Sequence, residues 1–359
     1  MIRVNNIHLS LDYDDKSVRK AVAQQLRIEE KSIKSCKIFR RSVDARKKDN
    51  IYFLTTVDAE LNINEDKVCK KCGNAQIARK YEYNQMKFGN APSPIVVGAG
   101  PAGLFAALIL ARSGANPILI ERGRDVDRRT ADVNRFWTSG KLDITSNVQF
   151  GEGGAGTFSD GKLNSGTKDI RQRKVLEEFV SHGAPDEILY NAKPHIGTDM
   201  LKGTIKNIRN EIIELGGRVM FETKLVSMAF SDNKLKSITV ETANGDEIIE
   251  TDNVILAIGH SARDTFEMLY DLKLPIEAKP FSVGARIEHL RQKVDKAQYG
   301  RFAGNKKLGS ANYKLSTHLD NGRGVYTFCM CPGGKVVNAS SEENRLCTNG
   351  MSEFARNAE

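Results

Sequence analysis

The sequence predicts an α/β fold in which helices cover a buried parallel sheet, the Rossmann-like arrangement. Three apolar segments, at 95–97, 117–121 and 254–259, have the length and composition of strands. They lack polar alternation, which is typical of strands covered on both faces. An apolar segment of helix length, 104–111, follows the first of them. Strand, helix and strand in this order predict parallel pairing.

A glycine-rich turn joins the first strand to this helix. Gly98, Gly100 and Gly103 match the spacing G-x-G-x-x-G. The first glycine makes the tight turn, the second lets a diphosphate approach the backbone, and the third lets the helix pack on the strand. Pro101 suits the first helical turn, because its missing N–H costs nothing there. The start of this helix is therefore predicted to bind the diphosphate of an adenine dinucleotide.

The second strand ends in an acid. Glu121 lies 23 positions after Gly98, close to the ~20 expected for the acid that bonds an adenosine ribose. A carboxylate there suits free hydroxyls and disfavours a 2′-phosphate. FAD or NAD is therefore expected rather than NADP.

The beginning of the chain is predicted to be a separate small α+β module, residues 1–62, followed by a polar connector, residues 63–92. The order β-α-β-β forms part of a ferredoxin-like unit. We expect an accessory packing domain, with docking or regulation as the alternative. The predicted elements are a bulged strand at 2–11, a helix capped by Asp14 or Asp15, and strands at 33–41 and 51–58.

Composition favours a cytoplasmic protein. The chain has 359 residues, a net charge of +9 and six cysteines, too few for a disulfide scaffold. The first residues lack the apolar core of a signal peptide, and no run reaches the ~18 apolar residues of a membrane span. The basic clusters look like solvated loops, which argues against a nucleic-acid partner.

One cysteine pair has a spacing that metal sites and redox pairs use. Cys69 and Cys72 form C-x-x-C, which is half of a zinc site or a redox pair. No second C-x-x-C exists, and Cys329 and Cys331 have the wrong spacing for a zinc knuckle. We therefore predict no metal and assign the pair no role.

A second glycine-rich segment spans residues 150–162 and holds five glycines within eleven residues. Such a loop can turn successive N–H groups toward one point, or let the backbone touch a flat ring. We expect it to contact the cofactor. Ser159, Asp160 and Lys162 would then be polar groups beside that cofactor.

The rest of the chain completes the predicted sheet. Asn244 and Gly245 give a strong hairpin signal within 225–249, so this stretch is predicted to be an antiparallel meander. The apolar strand that follows ends at Gly259, where the chain is expected to pass close to the dinucleotide. His195 lies in a polar loop and is expected to form hydrogen bonds rather than to catalyse. Further predicted elements are helices at 171–179, 201–215 and 264–272 and a strand at 218–222.

Four segments, 150–163, 193–199, 278–289 and 322–334, resemble the bacterial family of uncharacterised FAD-dependent dehydrogenases, also called NAD(FAD)-utilising dehydrogenases. The resemblance covers essentially the whole chain. It implies an FAD-binding domain of the glutathione-reductase type over 93–285 and a partial substrate-type domain over 286–359.

The chain departs from that family in two ways. Family members continue well beyond residue 359, so the chain looks truncated at its C-terminus. Flavin domains of this type also close with a late Gly-Asp, whereas the only Gly-Asp here is Gly245-Asp246.

The predicted site follows from these motifs. Catalytic residues are not identified, and the candidates are Lys162, Asp160 and His260; Lys279 and Arg286 are further polar groups that could face a substrate. The predicted cofactor-binding residues are Gly98, Ala99, Gly100, Pro101, Ala102, Gly103, Glu121, Arg122, Gly153, Gly154, Ala155, Gly156, Ser159, Val226 and Gly259.

The leading interpretation is an oxidoreductase that transfers a hydride between a small-molecule substrate and flavin. Only one dinucleotide fingerprint is present, so NAD(P)H, as a candidate electron donor, would have to visit the flavin directly. The missing C-x-x-x-x-C argues against disulfide chemistry. Two alternatives remain open: a flavin- or adenosine-dependent binding or sensing protein without turnover, and a flavoenzyme acting on RNA.

Overall fold

The start of the chain forms a complete βαββαβ unit in the computed structural model, which describes residues 1–79, 81–89, 92–167, 169–328 and 330–359. The strands pair in the order β2-β3-β1-β4, and every pair is antiparallel. The elements are β1 (Ile2–Leu9), α1 (Asp15–Leu26), β2 (Ile33–Asp44), β3 (Tyr52–Leu61), α2 (Glu65–Lys71) and β4 (Ala75–Ile77).

This module extends beyond its predicted end. The helix α2 and the strand β4 lie inside the predicted connector, and β4 pairs with β1. Asp14 is the residue that caps α1, because its carboxylate accepts from the Ser17 N–H. The predicted bulge is present in β1, between Val4 and Ile7.

A parallel sheet of four short strands forms the centre of the second part of the chain. The strands lie in the order β11-β5-β6-β7, and all three pairings are parallel, as the sequence predicts. Its first elements are β5 (Ile95–Val97), α3 (Pro101–Arg112), β6 (Ile118–Ile120), α4 (Val126–Ser139), α5 (Gln172–Ser181), α6 (Thr198–Glu214) and β7 (Arg218–Met220). The predicted meander follows, with β8 (Lys224–Ser231), β9 (Lys234–Thr242) and β10 (Gly245–Glu250), and then β11 (Val254–Leu256) and α7 (Arg263–Asp271).

Side chains on both faces bury this sheet. Val96 and Leu119 point toward the side where α3 and α6 pack, and both are fully buried. Ile95 and Ile120 point to the other side, where they pack on the meander and α7. Burial on both faces explains why β5 and β6 read as continuous apolar runs. The third apolar strand, β11, lies at the end of the strand order, and its Ile255 and Leu256 are exposed, so the expectation of burial on both faces is wrong for it.

The last part of the chain is divided between two neighbours. Val294, Tyr299, Leu308 and Ala311 are buried in the core of the N-terminal module. Ala339 instead packs with residues beside the second glycine loop. The predicted substrate-type segment, 286–359, therefore contributes to both parts of the structure. Its elements are α8 (Arg291–Tyr299), β12 (Ser316–His318), β13 (Gly324–Tyr326), β14 (Lys335–Asn338) and β15 (Thr348–Met351).

Arg41 connects the module to the α/β part. Its N–H donates to the Tyr190 carbonyl at 2.6 Å, and its carbonyl accepts from the Ala192 N–H at 2.8 Å. Its guanidinium donates to Asn191 Oδ1 at 2.8 Å and to the Tyr13 hydroxyl at 2.9 Å. One side chain therefore bonds to residues on both sides of this junction.

Candidate functional site

The turn between β5 and α3 has no room for a side chain at two of its three glycines. Gly98 has a φ of +101°, and a Cβ on it would lie 2.5 Å from the Ala257 carbonyl oxygen. A Cβ on Gly103 would lie 1.7 Å from the Gly98 carbonyl oxygen. Glycine is therefore required at both positions for α3 to pack this closely on β5 and β11.

The start of α3 is open toward a cavity. Gly100 is the N-cap and forms no side-chain capping bond, and Pro101 and Ala102 are exposed. The first N–H groups of a helix have no partner within it, and this end carries a partial positive charge. This arrangement is suited to holding an anion such as a diphosphate.

Glu121 lies at the end of β6 and is buried. Its carboxylate accepts from the N–H groups of Ala99 at 2.8 Å, Gly123 at 2.9 Å and Gly151 at 3.0 Å. A carboxylate has about four acceptor sites, so one site remains for a further donor. Glu121 thus ties both glycine segments together, and its predicted bond to a ribose hydroxyl stays a prediction.

The second glycine loop lies against the first. The Gly153 N–H donates to the Ala99 carbonyl at 2.8 Å. A Cβ on Gly154 would lie 3.1 Å from the Gly100 Cα. The loop is held from behind by Arg129, a residue of α4 that is fully buried. Sequence reasoning missed Arg129, because nothing in the local pattern distinguishes it from the arginines around it.

A buried acid lies next to this arginine. Glu152 is 0 % exposed, and one of its oxygens accepts from the Val126 N–H at 2.7 Å and from Arg209 at 2.9 Å. Burial raises the pKa of Glu152 above its usual range.

The cavity at the start of α3 has a volume of about 540 Å³. Of the predicted site residues, ten line it: Gly98, Gly100, Pro101, Ala102, Glu121, Arg122, Gly154, Ala155, Gly259 and His260. Thr223, just before the meander, Leu225 in β8 and Phe266 in α7 also line it.

Six predicted cofactor residues are not part of the lining: Ala99, Gly103, Gly153, Gly156, Ser159 and Val226. Ala99 and Gly103 support the turn from behind, through the contacts described above. Ser159 Oγ donates to the Gly350 carbonyl at 3.3 Å, and Val226 follows the lining residue Leu225 in β8.

Charged groups fix one wall of the cavity. The Arg122 guanidinium lies 4.7 Å from the centre of the Phe150 ring and 2.9 Å from Asp264. Lys224 lies 2.8 Å from the same carboxylate. Burial disfavours the ionised form of Asp264, but hydrogen bonds from Lys224 and Arg122 outweigh it and lower its pKa to about 2. No local pattern predicts this cluster, because its members are distant along the chain.

Two catalytic candidates lie outside the cavity lining, and the third lies in it. Asp160 is buried; it accepts from Ser352 Oγ and from Arg356, both at 2.7 Å. The Lys162 ammonium lies 2.7 Å from Asp160 Oδ2 and donates to Cys331 Sγ at 3.4 Å. Burial opposes ionisation of Asp160, but the charges of Arg356 and Lys162 outweigh it and lower its pKa. His260 lines the cavity and is exposed.

The other singled-out polar residues form contacts elsewhere. His195 Nε2 lies 3.0 Å from the Phe354 carbonyl oxygen, and burial lowers the pKa of His195. Lys279 and Arg286 are exposed, and Arg286 donates to Asn349 Oδ1 at 3.1 Å.

The cysteine pair lies in the N-terminal module. Cys72 Sγ donates to the Gln25 carbonyl at 3.4 Å. Burial, and then the charges of Asp66 and Glu65, raise the pKa of Cys69. Within the described ranges no group of three or more metal-ligating side chains occurs. Cys329 lies outside the described residues.

Three family models match the chain. They describe a domain of unknown function at residues 1–60, an FAD binding domain at 93–132 and a C-terminal domain-like part of FAD-dependent proteins at 280–359. An uncharacterised protein of Clostridium beijerinckii is 47% identical over 361 aligned residues, which cover 99% of this chain and 67% of the relative. The chain belongs to this family of FAD-dependent proteins.

FAD is the cofactor of this family member, and the site fits it. The glycine turn brings backbone amides and the start of α3 to the cavity, and Glu121 lies one strand away in the same lining. In dinucleotide-binding domains in general, groups of these kinds hold the diphosphate and the ribose.

Solved structures also match parts of the chain. The glycerol-3-phosphate dehydrogenase of Bacillus halodurans, complexed with FAD, gives a TM-score of 0.33 at 14% identity, covering 50% of this chain and 36% of that one. Thermovibrio ammonificans THI4 gives a TM-score of 0.32 at 16% identity, covering 51% of this chain and 64% of that one. Among the helices of the described residues, none is long and apolar enough to cross a membrane.

Proposed function

We propose that this chain is the flavin-binding part of an oxidoreductase that transfers a hydride between an unidentified small-molecule substrate and FAD. The observation that supports this most is the cavity that opens at the start of α3 and is lined by both glycine segments and Glu121. When bound, the flavin ring supplies the electron chemistry, and the protein supplies binding, orientation and electrostatics.

The chain's own residues have separate tasks in this proposal. The start of α3 and Gly154 hold the diphosphate, and Glu121 accepts from a ribose hydroxyl. Arg122, fixed by Asp264 and by the Phe150 ring, orients the group bound at its wall of the cavity. His260 is the candidate for a polar contact with substrate or flavin, since it both lines the cavity and reaches solvent.

The electron donor is part of the proposal. The sequence contains one dinucleotide fingerprint, at Gly98–Gly103, and FAD uses it. NAD(P)H would reach the flavin from solvent as a second substrate. Lys162 and Asp160 remain catalytic candidates, although their ion pair lies outside the cavity lining.

Anaerobic reduction of the purified protein tests this function. We expect oxidised FAD to co-purify, or to bind when added, and its absorbance band to bleach when NADH or NADPH is supplied. A protein that binds no flavin would contradict the cofactor assignment. A protein that binds FAD but is reduced by neither nucleotide would contradict the proposed donor and would favour the sensing alternative. A panel of small organic reductants would then be tried, and bleaching by one of them would identify the substrate class.

A further inference from the structure

We infer that Arg129 is a positioning residue for the cofactor: it fixes the second glycine loop in the conformation that closes on the diphosphate, although it does not line the cavity. This inference rests on FAD binding, and it does not depend on the proposed hydride transfer or on the electron donor.

The contacts of Arg129 all lead to the start of the second glycine loop and to the residues just before it. Its side chain is 0 % exposed, and an arginine has five N–H donors. Nε donates to the Asn147 carbonyl at 2.8 Å. The four remaining N–H groups are directed to the carbonyls of Val148 at 3.0 Å, Gly151 at 3.3 Å, Glu152 at 2.5 Å and Gly154 at 2.9 Å. The guanidinium thus binds the backbone of residues 147–154 on every side.

The loop is shaped to receive this side chain. A Cβ on Gly151 would lie 2.4 Å from the Arg129 Cδ, and Gly151 has a φ of +113°. The ring of Phe158 covers the guanidinium at 4.8 Å. Glycine at position 151 is therefore explained both by the arginine behind the loop and by its positive φ.

The other side of the same loop forms the cofactor site. Gly154 and Ala155 line the cavity, and Gly154 lies against Gly100 at the start of α3. Because Arg129 holds the Gly154 carbonyl, it determines where the following backbone lies relative to the helix start. Its effect should therefore concentrate on the part of the ligand at the helix start, the diphosphate.

Arg129 carries its positive charge although it is buried. Burial disfavours a charged guanidinium, and it lowers the pKa of Arg129 to about 10, while the nearby Glu121 and Glu152 carboxylates oppose this shift. The group is therefore protonated at neutral pH, and its charge lies behind the loop that faces the start of α3, where the diphosphate is proposed to bind. A buried charge is costly unless it is fully hydrogen-bonded, and here five backbone carbonyls supply the bonds.

The test compares ligands that differ in the diphosphate. Dissociation constants of FAD, ADP and adenosine are measured at low temperature for the wild type, Arg129→Lys, Arg129→Met and a control, Arg112→Met. Arg112 is a structural arginine at the far end of α3, paired with Glu178 and Glu211. Unfolding temperatures of the FAD-free proteins are measured in parallel.

We expect Arg129→Met to raise the dissociation constants of FAD and ADP about tenfold or more, equivalent to about 1.4 kcal/mol of binding free energy. The dissociation constant of adenosine should change by less than about threefold. Arg129→Lys, which keeps the charge and three of the five donors, should recover part of the loss. Arg112→Met should lower the unfolding temperature without separating ADP from adenosine. If Arg129→Met does not fold, Arg129→Lys alone should separate ADP from adenosine.

Either of two results would overturn the inference: equal weakening of all three ligands, as a general loss of structure would produce, or unchanged affinities in both Arg129 variants. A wild-type protein without FAD binding would remove its basis and would also contradict the cofactor assignment. Failure of flavin reduction in a wild-type protein that binds FAD would contradict the proposed function and leave this inference standing.

Discussion

The glycines of this structure differ in whether a side chain at their position would collide with neighbouring atoms. Gly98 has neighbouring backbone at 2.5 Å from the place where a Cβ would be, whereas Gly114, at the end of the same helix, has open space there. Both glycines have a positive φ, +101° and +82°. The pair therefore separates the cost of backbone conformation from the cost of steric contact.

Gly98→Ala should combine both costs. We expect about 3 kcal/mol or more of lost unfolding free energy, because strain at a positive φ and a clash with rigid backbone add together, and we expect FAD binding to be lost. Gly114→Ala should cost about 1 kcal/mol and keep the cofactor. Urea unfolding and flavin content measure the two effects. Equal stability of the two variants would contradict the steric argument.

Lys162→Ala tests whether the Asp160–Lys162 pair contributes to catalysis. The substitution leaves the buried Asp160 with Ser352 and Arg356 as partners, so the fold should persist. We expect a change in the rate of flavin reduction, measured by stopped-flow absorbance. Lys174→Ala, which removes an ion pair on α5, is the control. An unchanged rate and spectrum would remove Lys162 from the list of candidates.

At the scale of elements, short strands and well-defined helix ends shape the site. The central strands have only three residues each and are all parallel, and because parallel strands end at the same edge of a sheet, the turns that follow them begin there together. α7 adds its first turn to this edge, where Asp264 joins Arg122 and Lys224. The sequence predicted the helix, but not that its first acid anchors the wall of the cavity.

Asp264 should make this wall sensitive to acid. Its pKa is lowered in the folded protein to about 2, below the ~3.9 of an unfolded chain. The stabilisation is therefore present above about pH 4 and is lost as the pH falls toward 2. Solvent exposure of the pair keeps the effect within about 1 kcal/mol.

Urea midpoints of the wild type and Asp264→Asn, measured from pH 7 to pH 2, test this prediction. We expect the variant to be less stable at neutral pH and the difference to shrink as the pH falls. Asp252→Asn, an exposed position before β11, is the control. A difference that stays constant over the whole range would show that Asp264 acts through packing and not through its charge.

At the scale of the whole molecule, residues near the end of the chain pack against both the N-terminal module and the α/β part. Residues around α8 complete the core of the module, and residues 331–356 pack beside the second glycine loop. The same chain segment thus reaches both parts, and Arg41 adds a direct contact between them.

Arg41→Ala should weaken the docking of the module. The backbone bonds to Tyr190 and Ala192 remain, while the bonds to Asn191 and Tyr13 are lost. We expect about 2 kcal/mol of destabilisation and a thermal transition that splits in calorimetry. Arg40→Ala, an exposed neighbour on β2, should change neither. A single unchanged transition for Arg41→Ala would contradict this role.

The sequence by itself determined the local parts of this protein: the bulged first strand, the parallel strands, the meander and the glycine turn before α3. It did so because hydrophobic periodicity and glycine spacing act over a few residues, and the geometry they demand is local. It also predicted an adenine dinucleotide, FAD or NAD, from one turn and one acid. The resemblance of four further segments to a family of FAD-dependent dehydrogenases then selected FAD.

Only the tertiary structure decided the contacts between distant segments. In the folded chain, α2 and β4 complete the N-terminal module. Asp160 and Lys162 pair with residues near the end of the chain and therefore lie outside the cavity lining. Arg129 lies behind the second glycine loop. None of these contacts has a period or a fixed spacing. They depend on which buried charges and apolar faces meet when the whole chain folds, and that is settled by packing rather than by any local pattern.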